Sequence, residues 1–343
     1  MTGQETEIKD LGEFGLIERL TKEFPITNKE TKLGVGDDAA VLTFGEKDVL
    51  VTTDLLLEGI HFDLRYVPLQ HLGYKSAIVN FSDIYAMNGT PRQITVSIGV
   101  SSRFTVEHIE QLYAGIRKAC EIYGVDLVGG DTSASVTGLV ISITCMGDVA
   151  SGEEVRRSGA KPTDIICVSG DLGAAFMGLQ LLERENSVAA GQKDFQPDFS
   201  GKEYILERQL KPEARRDVIT KLKEKGIKPT SMIDVSDGLS SELLHICKES
   251  GVGCRVYEDK IPIDYQTAFM AEEFNMNLVT AAMNGGEDYE LLFTVSLTDH
   301  EKIEKIEGIK MIGYITEQGL GAALVTRDGG EIPIKAQGWN AFN

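Results

Sequence analysis

The part of the chain that decides its fold is a glycine-aspartate turn between two apolar runs: Leu33-Gly34-Val35-Gly36-Asp37-Asp38-Ala39-Ala40-Val41-Leu42. Its glycines allow a tight turn or a close approach of the backbone to a ligand. The two adjacent carboxylates repel each other unless a positive group lies near them. Alone, the turn is compatible with a solvated loop, so its meaning depends on the rest of the sequence.

The same combination of small residues and aspartate recurs further along the chain. It is found at Thr52-Thr53-Asp54, Ser82-Asp83, Gly129-Gly130-Asp131-Thr132 and Asp234-Val235-Ser236-Asp237-Gly238. Each aspartate taken singly is explained by a helix cap or a turn. Among histidine and cysteine residues, only His61 lies near these motifs. Because oxygen-only ligand sets suit Mg²⁺ or Ca²⁺ rather than zinc, the motifs together predict one dispersed metal-phosphate site.

Composition limits the class of protein. The chain has 343 residues, 42% of them hydrophobic, and a net charge of −19. This charge makes nucleic acid and anionic membranes poor partners and favours divalent cations. No apolar run approaches the roughly 20 residues of a membrane span, and the polar N-terminus does not resemble a secretory signal. The spacing of the five cysteines predicts buried thiols, so we expect a cytoplasmic protein.

The hydrophobic pattern predicts alternating strands and helices. One strand is predicted over residues 47–53, ending at Asp54, and a short buried strand over residues 125–128 delivers Gly130 and Asp131 to a turn. Helices are predicted over residues 14–24, 73–87, 105–123 and 212–225, the last with a proline in its first turn. A shift to Gly, Glu, Arg, Lys and Pro over residues 147–163 predicts a boundary between domains 1–150 and 151–343.

The motifs exclude two common ways of binding nucleotides. No G-x-x-x-x-G-K-[ST] P-loop is present. The run from Gly34 to Ala39 matches a relaxed dinucleotide-binding pattern, but a strand rather than a helix is predicted after it. Asp37 and Asp38 would also face the pyrophosphate with like charge. Several aspartates instead indicate metal ions shared with a polyphosphate, as in metal-assisted phosphoryl transfer, and Arg157 is either a phosphate ligand or part of a solvated linker.

The ordered set of motifs resembles one known family over nearly the whole chain. The motifs are Gly36-Asp37-Asp38, Thr52-Thr53-Asp54, Asn80-Phe81-Ser82-Asp83, Gly129-Gly130-Asp131-Thr132, Arg157-Ser158-Gly159-Ala160-Lys161, Asp234-Val235-Ser236-Asp237-Gly238 and Gly285-Gly286-Glu287-Asp288-Tyr289. They resemble the thiamine-monophosphate kinase family. Two related families fit less well: selenophosphate synthetases carry a reactive residue near the N-terminus, where the first cysteine here is Cys120, and a hydrogenase maturation protein ends in a cysteine that this chain lacks.

The resemblance implies a two-domain α/β (α+β) fold like that of aminoimidazole ribonucleotide synthetase. The N-terminal mixed sheet would bind metal and ATP and pair with its twin in a homodimer, and an α+β C-terminal domain would complete the site. The implied reaction is ATP-dependent phosphorylation of thiamine monophosphate to thiamine diphosphate with several Mg²⁺ ions. The implied metal ligands are Asp38, Thr52, Thr53, Asp54, Asp83, Asp131, Asp234 and Asp237. The implied ATP contacts are Tyr113, Gly130, Asp131, Arg157 and Ser236, and the implied substrate contacts are His61, Glu287 and Trp339.

The chemistry of a phosphate acceptor is consistent with the implied kinase reaction. The acceptor would be a phosphate oxygen, which is largely ionised at pH 7 because the second pKa of a monoester is about 6. No general base is then required, and none of the motifs pairs a nucleophile with a base. Two alternatives stay open from the sequence: an aminoimidazole ribonucleotide synthetase-type ligase, and a non-catalytic protein that binds Mg²⁺ and nucleotide.

Overall fold

A computed structural model of the chain describes residues 31–191 and 199–337. The helix predicted over residues 14–24 and the predicted substrate residue Trp339 lie outside the described residues.

The first half of the chain forms a mixed sheet of six strands. They are β1 (Thr31–Leu33), β2 (Ala40–Thr43), β3 (Lys47–Leu57), β4 (Thr90–Val100), β5 (Asp126–Ala134) and β6 (Val140–Ala150). Their order is β1-β2-β3-β6-β4-β5, and within this sheet β4 and β5 pair in parallel while the other neighbours are antiparallel. β5 is therefore an edge strand, and every one of its residues is exposed.

Two helices pack on this sheet, α1 (Leu69–Ala86) and α2 (Val106–Tyr123). α1 contacts β3, β4 and β6 and is buried over most of its length, and α2 packs against α1. Glycines allow this close approach: a Cβ on Gly73 would lie 1.9 Å from the carbonyl oxygen of Leu112. The same distance separates a Cβ on Gly115 from the carbonyl oxygen of Gln70. α1 is thus closely packed against both the sheet and α2.

The second half forms a sheet of seven strands. They are β7 (Ile165–Ser169), β8 (Ser231–Asp234), β9 (Val252–Tyr257), β10 (Leu291–Val295), β11 (Ile309–Glu317), β12 (Ala322–Val325) and β13 (Glu331–Pro333). Their order is β13-β12-β9-β11-β7-β10-β8, with β9 and β12 parallel and the other neighbours antiparallel. A hairpin through Asp328 and Gly329 joins β12 to β13.

Seven α-helices surround this second sheet within the described ranges. They are α3 (Ala174–Gly191), α4 (Glu203–Leu210), α5 (Arg216–Glu224), α6 (Leu239–Ser250), α7 (Tyr265–Glu273), α8 (Leu278–Asn284) and α9 (His300–Ile303). The largest apolar core contains residues of both halves, among them Phe81 of α1, Ile143 of β6 and Phe293 of β10. α1 also packs against β8. The two halves therefore meet along α1.

Several sequence predictions are wrong in detail. Asp54 lies inside β3 rather than at its end, because β3 and β6 stay paired through Leu57. Gly130 and Asp131 lie inside the exposed strand β5, not in a turn after a buried strand, because β5 continues to pair with β4. The helix predicted over residues 212–225 begins only at Arg216. The preceding residues are held by tertiary contacts, such as the hydrogen bonds that Tyr74 and Tyr123 donate to Glu213.

The five cysteines agree with their prediction. All are buried and none forms a disulfide. Among the described helices, none combines the length and the apolar character that crossing a membrane requires.

Candidate active site

A cluster of three carboxylates lies where the two halves of the chain meet. Carboxylate oxygens of Asp38, Asp83 and Asp234 lie within 4.8 Å of one another. Asp38 belongs to the turn before β2, Asp83 to the last part of α1, and Asp234 to the end of β8. Three motifs that are far apart in sequence therefore form one acidic site.

Hydroxyl groups fix two members of this cluster. Thr52 Oγ1 of β3 donates a hydrogen bond of 2.6 Å to Asp83 Oδ2. Ser82 Oγ of α1 donates one of 2.6 Å to Asp234 Oδ2. Thr53, which follows Thr52 and points to the other side of the strand, donates to the main-chain carbonyl of Ile143 at 3.1 Å. The two threonines thus have different partners.

The electrostatics of the cluster favour a bound cation. Burial raises the pKa of Asp54 to about 6. Burial, together with the carboxylate of Asp38, raises that of Asp234 to about 7. The pKa of Asp83 lies well above its usual range because of burial and the surrounding carboxylates. Asp38 Oδ2 and Asp54 Oδ2 are buried and have no hydrogen-bond partner among the described residues. Buried acceptors of like charge are expensive unless a cation or protons compensate them.

Arg157 provides one positive charge at this cluster. Its Nη2 lies 2.6 Å from Asp38 Oδ1, and its main-chain N–H donates to both carboxylate oxygens of Asp37 at 3.3 Å. Asp37 also accepts the main-chain N–H of Asp38 at 3.1 Å. Asp37 is therefore occupied in holding the turn, whereas Asp38 points into the cluster. Arg157 Nε is buried and has no acceptor in the described part of the chain.

A cavity of about 1480 Å³ opens beside the cluster and extends between the two halves. Eleven of the predicted site residues line it: Asp38, Thr52, Thr53, Asp54, His61, Asp83, Arg157, Asp234, Ser236, Asp237 and Glu287. Both halves of the chain contribute to this wall, so the cavity is a cleft between them.

Three predicted residues do not line this cavity. Asp131 pairs in register with Ser97 of β4, which in turn faces Ser142 of β6 and, beyond it, Leu55 of β3. Neighbouring strands lie about 4.8 Å apart, so three such spacings separate Asp131 on β5 from strand β3, whose residues line the cavity. Gly130 precedes Asp131 on the same strand. Tyr113 lines a second cavity of about 1270 Å³ between α2 and the start of β5. Within one chain, these residues are not brought to the carboxylate cluster.

Three residues that support the cavity were missed by the sequence analysis. Lys75 and Gln209 contact the carboxylate of Glu287. Glu242 Oε1 accepts the main-chain N–H groups of Ser236 and Asp237 at 3.1 and 2.8 Å. Two signals were available: Lys75 is a charged residue in a largely buried helix, and Glu242 lies in the first turn of α6, where acidic residues support the helix N-terminus. Nothing in the sequence distinguishes Gln209.

Comparison with known proteins agrees with this architecture. The fold and the acidic cleft define an AIR synthase related protein: the N-terminal domain of that family matches residues 36–149 and its C-terminal domain matches residues 161–325. More particularly, the chain belongs to the thiamine-monophosphate kinase family. The fold class predicted from the sequence, two domains with a mixed N-terminal sheet, is confirmed.

Three relatives illustrate the match. The thiamine-monophosphate kinase of Bacillus subtilis (strain 168) is 33% identical over 341 residues, which cover 97% of this chain and all of the relative. That of Escherichia coli (strain K12) is 32% identical over 337 residues, covering 96% of this chain and 98% of the relative. The solved structure of AaThiL complexed with AMPPCP and TMP has a TM-score of 0.83 at 32% identity, covering 98% of this chain and 99% of that one.

Proposed function

We propose that this protein transfers the γ-phosphoryl group of ATP to the phosphate of thiamine monophosphate, forming thiamine diphosphate and ADP. One observation supports the proposal most directly: the chain matches, along almost its full length, a solved relative that is complexed with both AMPPCP and TMP. The cleft beside the three carboxylates supports it, because a nucleotide and a second phosphorylated substrate need such a shared polar space.

Mg²⁺ fits the donors of this site. The candidate ligands are all oxygen donors, and two of them, Asp38 and Asp54, have buried oxygens with no partner among the described residues. Those that would hold the ions are Asp38, Thr52, Asp54, Asp83, Asp234 and Asp237 through their side chains, and Thr53 through its main-chain carbonyl oxygen, since its hydroxyl group is bonded to Ile143. Bound Mg²⁺ supplies charge neutralisation for phosphate oxygens during the transfer.

The chain's own residues bind and align the substrates. The buried Nε of Arg157 donates no hydrogen bond among the described residues and lies 4.0 Å from Asp37 Oδ1, so we assign the guanidinium group to phosphate oxygens of ATP. Ser236 would contact ATP from the turn that Glu242 holds. His61 and Glu287 line the part of the cleft assigned to thiamine monophosphate. The ionised acceptor phosphate needs no general base, so alignment and electrostatic stabilisation carry the rate enhancement.

We further propose that two copies of the chain complete each site. Gly130 and Asp131 lie on the exposed edge strand β5, away from the cleft of their own chain. Leu127 and Val128 of the same strand are 47% and 56% exposed, and an exposed edge strand with apolar residues is a ready surface for pairing. In a homodimer, Asp131 would add a metal ligand, and Gly130 and Tyr113 would add ATP contacts, to the site of the other copy.

The division into a domain of residues 1–150 and a domain of residues 151–343 is also proposed here. The end of β6 at Ala150 and the start of β7 at Ile165 support it, because each sheet is built from one side of this boundary. Location in the cytoplasm remains a prediction from the sequence.

The test is release of ADP by the purified full-length protein. With ATP, Mg²⁺ and thiamine monophosphate present together, we expect ADP and thiamine diphosphate in equal amounts. ADP release that requires formylglycinamidine ribonucleotide instead would indicate the ligase. Stabilisation by ATP and Mg²⁺ with no turnover of either acceptor would indicate a nucleotide-binding protein. Either result would overturn the proposed kinase.

A further inference from the structure

The carboxylate of Glu287 is held by two side chains, one from each half of the chain. Lys75 Nζ lies 2.9 Å from Glu287 Oε1, and Gln209 Nε2 donates to Glu287 Oε2 at 2.9 Å. Lys75 belongs to α1 of the first half and Gln209 to α4 of the second. The carboxylate is thus clamped from both sides of the cleft.

Lys75, Gln209 and Glu287, which we call the clamp, form a largely buried arrangement rather than a surface ion pair. The side chain of Lys75 is 9% exposed and that of Glu287 32%, and all three residues line the large cavity. Lys75 Nζ also donates to the main-chain carbonyl of Gln209 at 3.0 Å. Glu287 itself has a φ of +59°, a conformation that non-glycine residues seldom adopt. A strained residue aimed into a cleft and held by buried partners indicates a functional constraint.

The clamp leaves some hydrogen-bond donors and acceptors free to contact a substrate. An ammonium group has three N–H donors, and two of those of Lys75 are used by Glu287 and Gln209. An ionised carboxylate accepts at about four positions, and Lys75 and Gln209 occupy two of them. One N–H of Lys75 therefore remains next to about two acceptor positions of Glu287. Gln209 adds its second amide N–H and a buried Oε1 that has no hydrogen-bond partner among the described residues. This pattern complements the edge of an aminopyrimidine, where a ring nitrogen accepts beside an exocyclic amino group that donates.

The position of the clamp matches the length of such a substrate. Lys75 precedes Asp83 by two turns of α1, which is about 12 Å along the helix axis. A substrate with its phosphate at the carboxylate cluster must extend over this distance to reach Glu287. Thiamine monophosphate, with its phosphate and its aminopyrimidine at opposite ends, has that arrangement.

We propose that Lys75 and Gln209 are positioning residues. They hold the carboxylate of Glu287 where it hydrogen-bonds to the aminopyrimidine ring of the substrate. The inference deepens the proposed function and rests on it for the identity of the substrate. It assigns selectivity for the amino group of the pyrimidine to the clamp, and binding of the phosphate groups to the separate carboxylate cluster.

The experiment compares thiamine monophosphate with an analogue whose pyrimidine amino group is replaced by a hydroxyl group. In the wild type, kcat/KM should favour the amine by at least about 100-fold, because a site built to hydrogen-bond a group rejects analogues without it. Lys75→Met should raise KM for thiamine monophosphate at least about tenfold, change kcat by less than about threefold, and reduce the preference for the amine to about tenfold or less. A purely structural role of Lys75 would lower activity with both acceptors equally.

Gln209→Met is the second variant, since Lys75→Met can impair folding, and it should reduce the preference in the same direction. The matched control is Lys223→Met, because Lys223 Nζ also donates to a main-chain carbonyl across the two halves, that of Asn88 at 3.3 Å, but lies away from the cavity. It should keep the wild-type preference. An unchanged preference in folded Lys75→Met and Gln209→Met would overturn the inference.

Calorimetric binding of the two acceptors separates this inference from the proposed function. If the wild type releases no ADP with either acceptor, the kinase proposal fails. The ratio of the two dissociation constants in wild type and Lys75→Met then decides the inference: loss of the preference supports it, and retention of the preference overturns it.

Discussion

Ser82 Oγ and Asp234 Oδ2 are joined by a hydrogen bond of 2.6 Å, although 152 residues separate them in sequence. Ser82 is carried by helix α1 of the first half, and Asp234 ends strand β8 of the second. Both side chains are buried. This bond fixes one carboxylate of the cluster from the opposite side of the cleft, so the geometry of the cluster depends on how the two halves pack.

Replacing Ser82 by alanine is therefore expected to disturb metal binding. Asp234 would lose its buried donor, which costs about 1–3 kcal/mol of folding free energy, and the Mg²⁺ concentration for half-maximal ADP release should rise several-fold. Titration of the rate with Mg²⁺ measures this. The control is Ser76→Ala, since Ser76 is also buried in α1 but donates to Gly73 O within the helix. An equal Mg²⁺ shift in both variants would contradict the role of Ser82.

Replacing Asp54 by asparagine should lower the rate of ADP release but leave the stability of the fold nearly unchanged. Burial raises the pKa of Asp54 to about 6, so a neutral amide fits the folded protein at least as well as the carboxylate, and unfolding should change by less than about 1 kcal/mol. The rate should fall about 100-fold or more because a metal ligand is lost.

ADP release and urea unfolding, measured on the same preparation, check the Asp54 prediction. Asp148→Asn serves as the control, because Asp148 lies on the neighbouring strand β6 and pairs with Lys47 and Arg92 outside the cleft. A fully active Asp54→Asn variant would exclude Asp54 as a ligand.

Glu290 is expected to be important for stability rather than for catalysis. Its side chain is 1% exposed and pairs with the guanidinium groups of Arg208 and Arg215. Glu290→Gln removes the charge that the two arginines share and leaves Arg208 with Asp288 at 3.8 Å and Arg215 with Asp217 at 2.9 Å. The loss should therefore lie at the lower end of the range for buried pairs, about 3 kcal/mol. Chemical denaturation measures the loss. Glu331→Gln is the matched control, because Glu331 is 52% exposed in its pair with Arg255 and should cost less than about 1 kcal/mol. Similar losses in the two variants would argue against a buried network.

The pair of Asp48 and Lys32 predicts an acid-dependent part of the stability. Burial alone would raise the pKa of Asp48, but hydrogen bonds from Lys32 and Thr43 outweigh it and lower the pKa to about 2. The folded state therefore binds fewer protons than the unfolded state, whose Asp48 has a pKa of about 3.9. The stabilisation is present above that value and is lost as the pH falls toward 2.

Urea unfolding of wild type and Asp48→Asn at pH 6 and pH 3 tests the Asp48 prediction. The wild-type advantage at pH 6 should be at most about 2 kcal/mol, and less because Lys32 is 32% exposed and water screens the pair. At pH 3 the advantage should shrink. The same difference at both pH values would contradict this assignment.

Strand β5 predicts how two copies would associate. Val128 is 56% exposed on this edge strand, so Val128→Glu should convert a dimer to monomers and reduce ADP release, since each site would lose Gly130 and Asp131 of the other copy. Sedimentation equilibrium measures the mass. Tyr265→Glu, at a residue 75% exposed on α7, should leave the association unchanged. A Val128→Glu variant that remains dimeric would mean that copies meet elsewhere.

Much of the site could be predicted from sequence because its chemistry is local. Paired glycines and aspartates between apolar runs indicate turns that expose carboxylates, whatever lies around them. The apolar period of α1 likewise predicts a buried helix, and Asp83 within it is conspicuous. These signals depend on residues close in sequence, and the structure brings Asp38, Asp54, Asp83 and Asp234 to one cleft.

The remainder could not be predicted because it depends on strand register and on packing between distant segments. β3 runs past Asp54 because β6 pairs with it, and the position of Asp131 follows from three strand pairings. Residues 213–215 leave the predicted helix because distant side chains bind them.

Residue types and their local spacing are enough to establish the class of chemistry, an acidic oxygen-donor site that suits metal ions and phosphates, because they set which groups the chain presents. The pairing of these groups follows from the packed fold: Thr52 with Asp83, Ser82 with Asp234, and Lys75 with Glu287. The physical reason is that such contacts join elements through one shared core, so they exist only after the two halves have packed together along α1.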